Sequence, residues 1–407
     1  MKPNTRSQKS GSVLSAWPRT TILRTILPLL TVAVLPVTVW SDTRTALGVT
    51  QAAPLYSVTD LGDLAGGENY SQASDLNASG QAVGVSQISS RYRAFLSPSE
   101  NGNMALIDLG NLSGLPSSRA NGINSLGQIV GSSTDGDKTR AFLWNPQAPN
   151  SAGGSMIELT DLPGERNSAS AISINAIGQV VGYSRGHAYL WTPHIANGPT
   201  GAAVDLGGLP AATGNLAFDV NDSGQVVGSS FVDVERAFLW TPFKANGNAG
   251  SMIELGSLPG GSGISQAVAI NAAGIVAGNS TTATGQHAVL WIRDSSGAAA
   301  WMIDLGDLPG GNDLSFAFGV NAASETVGYS NSFDGEHAFL WTKRDGMLDL
   351  NSLLDATGAA WTLRFAQSIN DRGQIVGWGT FDPDGAGEIP PVTHAYRLEP
   401  RNDAIGR

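Results

Sequence analysis

The 407-residue chain contains no cysteine. That excludes disulfides, thiolate nucleophiles and cysteine-ligated zinc, while leaving the compartment open. Charge is scarce too: Asp, Glu, Lys and Arg make up 14% of the residues, against about a quarter in ordinary globular chains. Cations are the smaller part, with 23 Lys and Arg against 34 Asp and Glu, for a net charge of −11. Such a chain lacks the basic patches that nucleic acid and anionic lipid select, so neither is expected as a partner. Beyond residue 40 no run is apolar enough to span a bilayer, and the C-terminal residues 403–407 carry no hydrophobic anchor. Glycine, by contrast, is abundant at 51 residues beside an ordinary 41% hydrophobic content. Little charge and much glycine point to short strands joined by many turns.

The N-terminus reads as an export leader. Lys2, Arg6, Lys9, Arg19 and Arg24 precede an apolar run of 15 residues from Ile26 to Trp40, with no acidic residue among them. That run suits a signal-peptide core and is short for a membrane span. Val39 and Ser41 fit the −3 and −1 positions of a cleavage site before Asp42. The expected organisation is a signal peptide over 1–41 (or, uncleaved, an N-terminal anchor), a linker over 42–54, one repeat domain over 55–400 and a tail over 401–407. Removing the leader takes net charge from −11 to −16. The expected location is extracellular or periplasmic.

Repeats dominate the rest. The pattern Asn-x-x-Gly-x-x-Val-Gly starts, with some decay, at Asn77, Asn124, Asn175, Asn221, Asn271, Asn321 and Asn370, at intervals of 46 to 51 residues. After each copy comes RAFLW, HAFLW or a close variant, and before each comes an acidic residue followed by Leu. Each unit therefore reads as four short strands. In the third they are strand A at 170–175, B at 179–184, C at 187–191 and D at 203–206. Asn at the first position and Gly at the fourth suit a type I turn closed by a left-handed residue. The sixth copy has Ser324 in place of that Gly, so its turn is expected to be strained or altered.

Four-stranded units of this length predict an all-β fold, a seven-bladed β-propeller. From the acidic residue to the next Asn the count is 16 or 17 in six units and 21 in the last. A nearly constant crossover is what stepping between blades would impose. The repeat region opens on a lone strand D, 56–61, and ends on a strand C, 394–400. The N-terminal strand is thus expected to complete the last blade and remove two exposed edges.

The tripeptide His337-Ala338-Phe339 followed by Leu-Trp, DLGDLPGG at 304–311 and INxxGQVVGYS at 174–184 resemble the bacterial extracellular HAF repeat. The resemblance spans residues 56–398. Ser97, Val289 and Arg397 depart from it in single copies. It implies export and a propeller-like repeat fold, and no activity, cofactor or catalytic residue.

Candidate sites were weighed against the repeat. Gly182-Tyr183-Ser184-Arg185-Gly186 spells the G-x-S-x-G of a serine nucleophile elbow, with His187 next. Five other copies carry the same serine without that surround, at Ser86, Ser133, Ser230, Ser280 and Ser330, and an elbow needs a helix that is not expected here. The match is incidental: unit three runs 13 residues from Asn175 to Ala188, where its neighbours run 17 and 16.

The first position of strand C holds Arg93, Arg140, His187, Arg236, His287, His337 and His394. Because Arg cannot ligate a cation, a metal role shared by all copies is not expected. These donors are expected to pair with the strand D acids Asp108, Glu158, Asp205, Glu254, Asp304, Asp349 and, through ring closure, Asp60. Trp144, Trp191, Trp240, Trp291 and Trp341 recur in strand C and read as packing between blades. Trp301, Trp361 and Trp378 fall outside that register. Trp378, with Asp382 and Asp384 in the longest B–C loop, is the candidate ligand contact. The acidic loops lack the spacing of a calcium site.

The resulting expectation is a monomeric, non-enzymatic binding or scaffold propeller without cofactor or metal, its ligand an extracellular glycan or cell-surface protein. The alternative is a propeller glycosidase or lyase with carboxylates gathered at the channel. Catalytic residues should break the repeat, whereas the conspicuous polar residues obey it.

Overall fold

The computed structural model describes residues 56–98, 105–164, 167–293, 300–385, 387 and 389–401. The expected leader, linker and tail from 402 onward lie outside them. Among the described residues the fold is all-β, with two short 3-10 turns at Leu350–Leu353 and Ala356–Gly358 as its helical content. No helix among them is long and apolar enough to cross a membrane.

The strands form four-stranded antiparallel sheets, one to a repeat unit. In the third unit Ala169–Ile174, Val180–Ser184, His187–Pro193 and Gly201–Asp205 lie side by side in chain order. One parallel pair, Gln286 with Leu314, joins the fifth and sixth units into a larger sheet. The last unit takes its outer strand from the beginning of the described chain. Tyr56–Gly62 runs antiparallel to Val392–Pro400, with Tyr56 opposite Pro400 and Asp60 opposite Tyr396.

The repeat residues earn their places locally. Asn175 Oδ1 accepts the Ile177 and Gln179 amides at 3.3 and 2.9 Å, while its Nδ2 donates to Gln179 Oε1 and, in the next unit, to the Asn221 carbonyl at 3.1 Å. One side chain thus caps its own turn and ties two units together. The contact recurs from Asn77 to Asn124 and onward through 175, 221, 271, 321 and 370, and Asn370 Nδ2 donates back to the Asn77 carbonyl at 3.1 Å. Ser324 does not alter its turn as expected: its amide reaches the Asn321 carbonyl at 3.0 Å, as Gly80 does for Asn77. The backbone there keeps the left-handed φ of 65°, so the strain is absorbed by the residue and the turn survives.

The second repeat glycine has a different cause. Each strand A carries a β-bulge whose extra residue is the third before its Asn, as Ile172 between Ala171 and Ser173. The bulge pushes a carbonyl against strand B, so a Cβ on Gly182 would lie 1.9 Å from the Ser170 oxygen. Only glycine fits that approach.

Strand B is buried on both sides, as with Val180, Val181 and Gly182, because sheets of successive units cover both of its faces. The core accordingly sits between sheets: Val130, Ala141 and Leu143 pack on Ala171, Tyr189 and Trp191 of the next unit. The same kind of cluster joins Val376 and Ala395 to Ala73 and Phe95. Trp144, Trp191, Trp240, Trp291 and Trp341 are all buried within these layers.

Candidate functional site, an axial cavity with two carboxylates

On the rim, strand C donors meet strand D acids. Arg93 Nη2 lies 2.9 Å from Asp108, Arg140 Nη1 3.0 Å from Glu158 and Arg236 Nη1 3.0 Å from Glu254. His187, His287, His337 and His394 hold Asp205, Asp304, Asp349 and Asp60 through Nδ1 at 3.2, 2.8, 2.7 and 3.0 Å. Four of the acids also cap a glycine amide two residues on, as Asp60 does for Gly62 at 2.8 Å. These pairs are partly solvated and each contributes about 0–1 kcal/mol. They fix strand register and are already occupied with one another.

Ser184 is fully buried in strand B, where it faces His187 across a two-residue hairpin turn. Arg185 and Gly186 form that turn with φ of 48° and 83°, the geometry of a type I′ closure. No strand-to-helix elbow is present at Ser184. Trp378 is half-buried and stacks on Phe365 at 4.2 Å. Asp382 and Asp384 accept the Gly385 and Ile389 amides and so order their own loop. Trp361 is buried and Trp301 is 53% exposed.

The cavity that all units build together lies elsewhere. The third residue before each repeat Asn, from Ser74 in the first unit to Gln367 in the last, lines one cavity of about 340 Å³. A second, of about 290 Å³, adjoins it and is bounded by the turn asparagines Asn77, Asn124, Asn175 and Asn221. Asp75, Ser173, Asp219 and Ser368 line both. All four occupy the position two residues before the Asn, directly after the extra residue of the bulge, where the other units have Gly122, Ala269 and Gly319. The bulge turns that side chain toward the cavity.

Asp75 and Asp219 are the charged residues at this position, and they are built alike. Asp75 accepts the Leu76 amide at 2.8 Å, the Ile123 amide of the following unit at 3.0 Å and the Ser368 hydroxyl of the last unit at 2.7 Å. Asp219 accepts the Val220 and Ile270 amides, both at 2.8 Å, and the Ser173 hydroxyl at 2.6 Å. Burial pushes the Asp75 carboxyl up to about 6, against the lowering by its three donors, and the charge of Asp219 adds to the rise. Asp219 is raised for the same leading reason. A carboxylic acid protonated near neutrality can donate a proton, and an ionised partner can stabilise or attack a developing cation. Phe218, Phe318 and Ile172 supply apolar wall around the two acids.

Sequence reasoning missed this pair. The signal was available: aligned on the repeat Asn, the position reads Asp, Gly, Ser, Asp, Ala, Gly, Ser.

No family model and no curated protein matches the chain. Among solved structures, a protein from Lactobacillus plantarum is 9% identical, covers 81% of this chain and 98% of its own, and has a TM-score of 0.39. An alpha-L-arabinofuranosidase from Podospora anserina, in complex with cellotriose, is 12% identical over 86% of this chain and 98% of its own, with a TM-score of 0.32. The expectation of a non-enzymatic protein is corrected here. That expectation rested on the conspicuous polar residues obeying the repeat. Asp75 and Asp219 break it, inside the cavity.

Proposed function

We propose that the chain is an exported glycosidase whose reacting groups are Asp75 and Asp219, at the centre of a closed seven-bladed propeller of the HAF-repeat type. The closed ring is supported by the circuit of asparagine contacts that returns from Asn370 to Asn77 and by the strand Tyr56–Gly62 on the outside of the last sheet. Export rests on the basic, then apolar, leader.

The observation that carries the activity is the sharing of one cavity by two carboxyl groups that interrupt a sevenfold pattern. Glycoside hydrolysis needs such a pair, one acid to protonate the leaving oxygen and one carboxylate on the ring. Burial raises both carboxyls, so one of the pair can hold the proton for the acid role while the other serves as the carboxylate. The test is reducing-sugar release from a panel of polysaccharides and aryl glycosides by the full chain. Turnover should fall at least about a hundredfold in Asp75→Asn and in Asp219→Asn, the range typical of losing a positioned acid or base. Absence of turnover on the whole panel, or turnover equal to wild type in both variants, would overturn the reading.

A further inference from the structure

The rim copy built on His287 gathers three acids, where His337 meets two, Asp349 through Nδ1 at 2.7 Å and Asp334 through Nε2 at 3.3 Å. His287 Nδ1 holds Asp304 at 2.8 Å, and its Nε2 is in contact with Asp313. Asp307 completes a set in which one ligand atom from each of His287, Asp307 and Asp313 lies within 4.8 Å of the others. Thr282 and Thr284 donate hydroxyls to the second oxygen of Asp313 and so orient it.

Comparison with equivalent copies shows what is unusual. Where strand C starts with Arg93, the guanidinium meets Asp108 and the neutral amide of Asn111, the counterpart of Asp307. Arg140 likewise meets Glu158 and the neutral amide of Asn167, the counterpart of Asp313. Those two copies balance one fixed positive charge with one carboxylate, and Arg236 meets two, Glu254 and Asp233. At His287 three carboxylates surround an imidazole, and no guanidinium is present in the cluster. Even an imidazolium leaves the group two charges short of balance.

We propose that His287, Asp307 and Asp313 bind a first-row divalent cation such as Zn²⁺. The Asp304 carboxylate fixes the Nδ1–H tautomer, which aims the Nε2 lone pair at the two remaining acids. One imidazole nitrogen and two carboxylate oxygens, with water completing the shell, match zinc or manganese better than calcium, which takes oxygen ligands. The His287 side chain is 14% exposed and that of Asp313 31%, so the ion would enter directly from solvent. The ion supplies the positive charge that arginine supplies in the copies built on Arg93, Arg140 and Arg236.

The test is calorimetric titration of the untagged full chain, stripped with chelator, with Zn²⁺ alone and then with Ca²⁺ alone. One Zn²⁺ should bind per chain, with a rise in melting temperature. His287→Arg should fold with an unchanged far-ultraviolet spectrum, because arginine occupies the same position in three copies, and should abolish that binding. Asp313→Asn, which restores the amide found at Asn167, should weaken it at least tenfold. Failure of stoichiometric Zn²⁺ binding, or Zn²⁺ or Ca²⁺ binding that is as tight in both variants as in the wild type, would overturn the proposal.

Discussion

Single residues show how far one repeat position can diverge in consequence. Ser86 and Ser184 are equivalent and equally buried. Ser86 Oγ accepts the Leu64 amide at 3.1 Å, as Ser133 does for Leu112. In the third unit the corresponding Leu162 amide goes to Asp161 at 2.8 Å, and Ser184 Oγ has no partner among the described residues. Ser86→Ala should therefore strand a buried amide at a cost of about 1–3 kcal/mol, while Ser184→Ala stays within about 0.5 kcal/mol of wild type. Thermal unfolding of the two variants checks this, and equal losses would contradict it. That Ser184 is no nucleophile was legible from its five counterparts; that its oxygen is orphaned was not, because the competitor is a side chain in a distant turn.

Asp75 makes a second prediction at this scale. Its carboxyl sits at about 6 in the fold, against 3.8 for a free aspartate, so the native state binds more protons between those limits. A raised carboxyl stabilises the fold below the unfolded pKa, and that contribution disappears as pH rises through the folded one. The Asp75 contribution to stability should thus fall by roughly 1–3 kcal/mol from pH 4 to pH 7, with that of Asp219 falling in the same direction. The difference in denaturant midpoint between the wild type and Asp75→Asn should therefore shift against the wild type over this range. A difference that stays constant from pH 4 to pH 7 would contradict the assignment.

Among elements, the hairpins were the most legible, because their chemistry is local. Asn-x-x-Gly marks a turn wherever it occurs, and the strand C pattern follows from burial between sheets. The bulge in strand A was not legible, since it shows only as the second repeat glycine, whose cause is a carbonyl on the neighbouring strand. The outer strand of the last sheet was readable from the count of strands alone. It carries Tyr56 and Val58 into the core beside Leu353 and Tyr396, and Thr357 Oγ1 accepts the Val58 amide at 2.8 Å. Deleting residues 55–62 should cost several kcal/mol, since burial of Tyr56 and Val58 contributes about 1.5–3 kcal/mol each. The melting transition should drop sharply or lose cooperativity. A transition unchanged from the full chain would show that this strand does not close the fold.

At the scale of the whole molecule, the cavity was hidden from sequence reasoning. It is assembled from one to three adjacent residues per unit, spread from Ser74 to Ile369, and no stretch shorter than a repeat contains the walls given by two units. The rim acids and donors drew notice because they recur; the residues that interrupt the pattern, Asp75 and Asp219, are the ones with perturbed acidity and access to a shared space. Repetition builds the frame, and the proposed reacting groups are departures from it. The His287 cluster follows the same logic on the rim.

Initial rates of glycoside hydrolysis, compared between the wild type and a set of folded variants, test this most directly. The account predicts that Asp75→Asn and Asp219→Asn lose turnover at matched melting profiles, while the rim variant His187→Ala and the buried Ser184→Ala retain it. Loss of turnover in Ser184→Ala, or its full retention in both aspartate variants, would contradict the account.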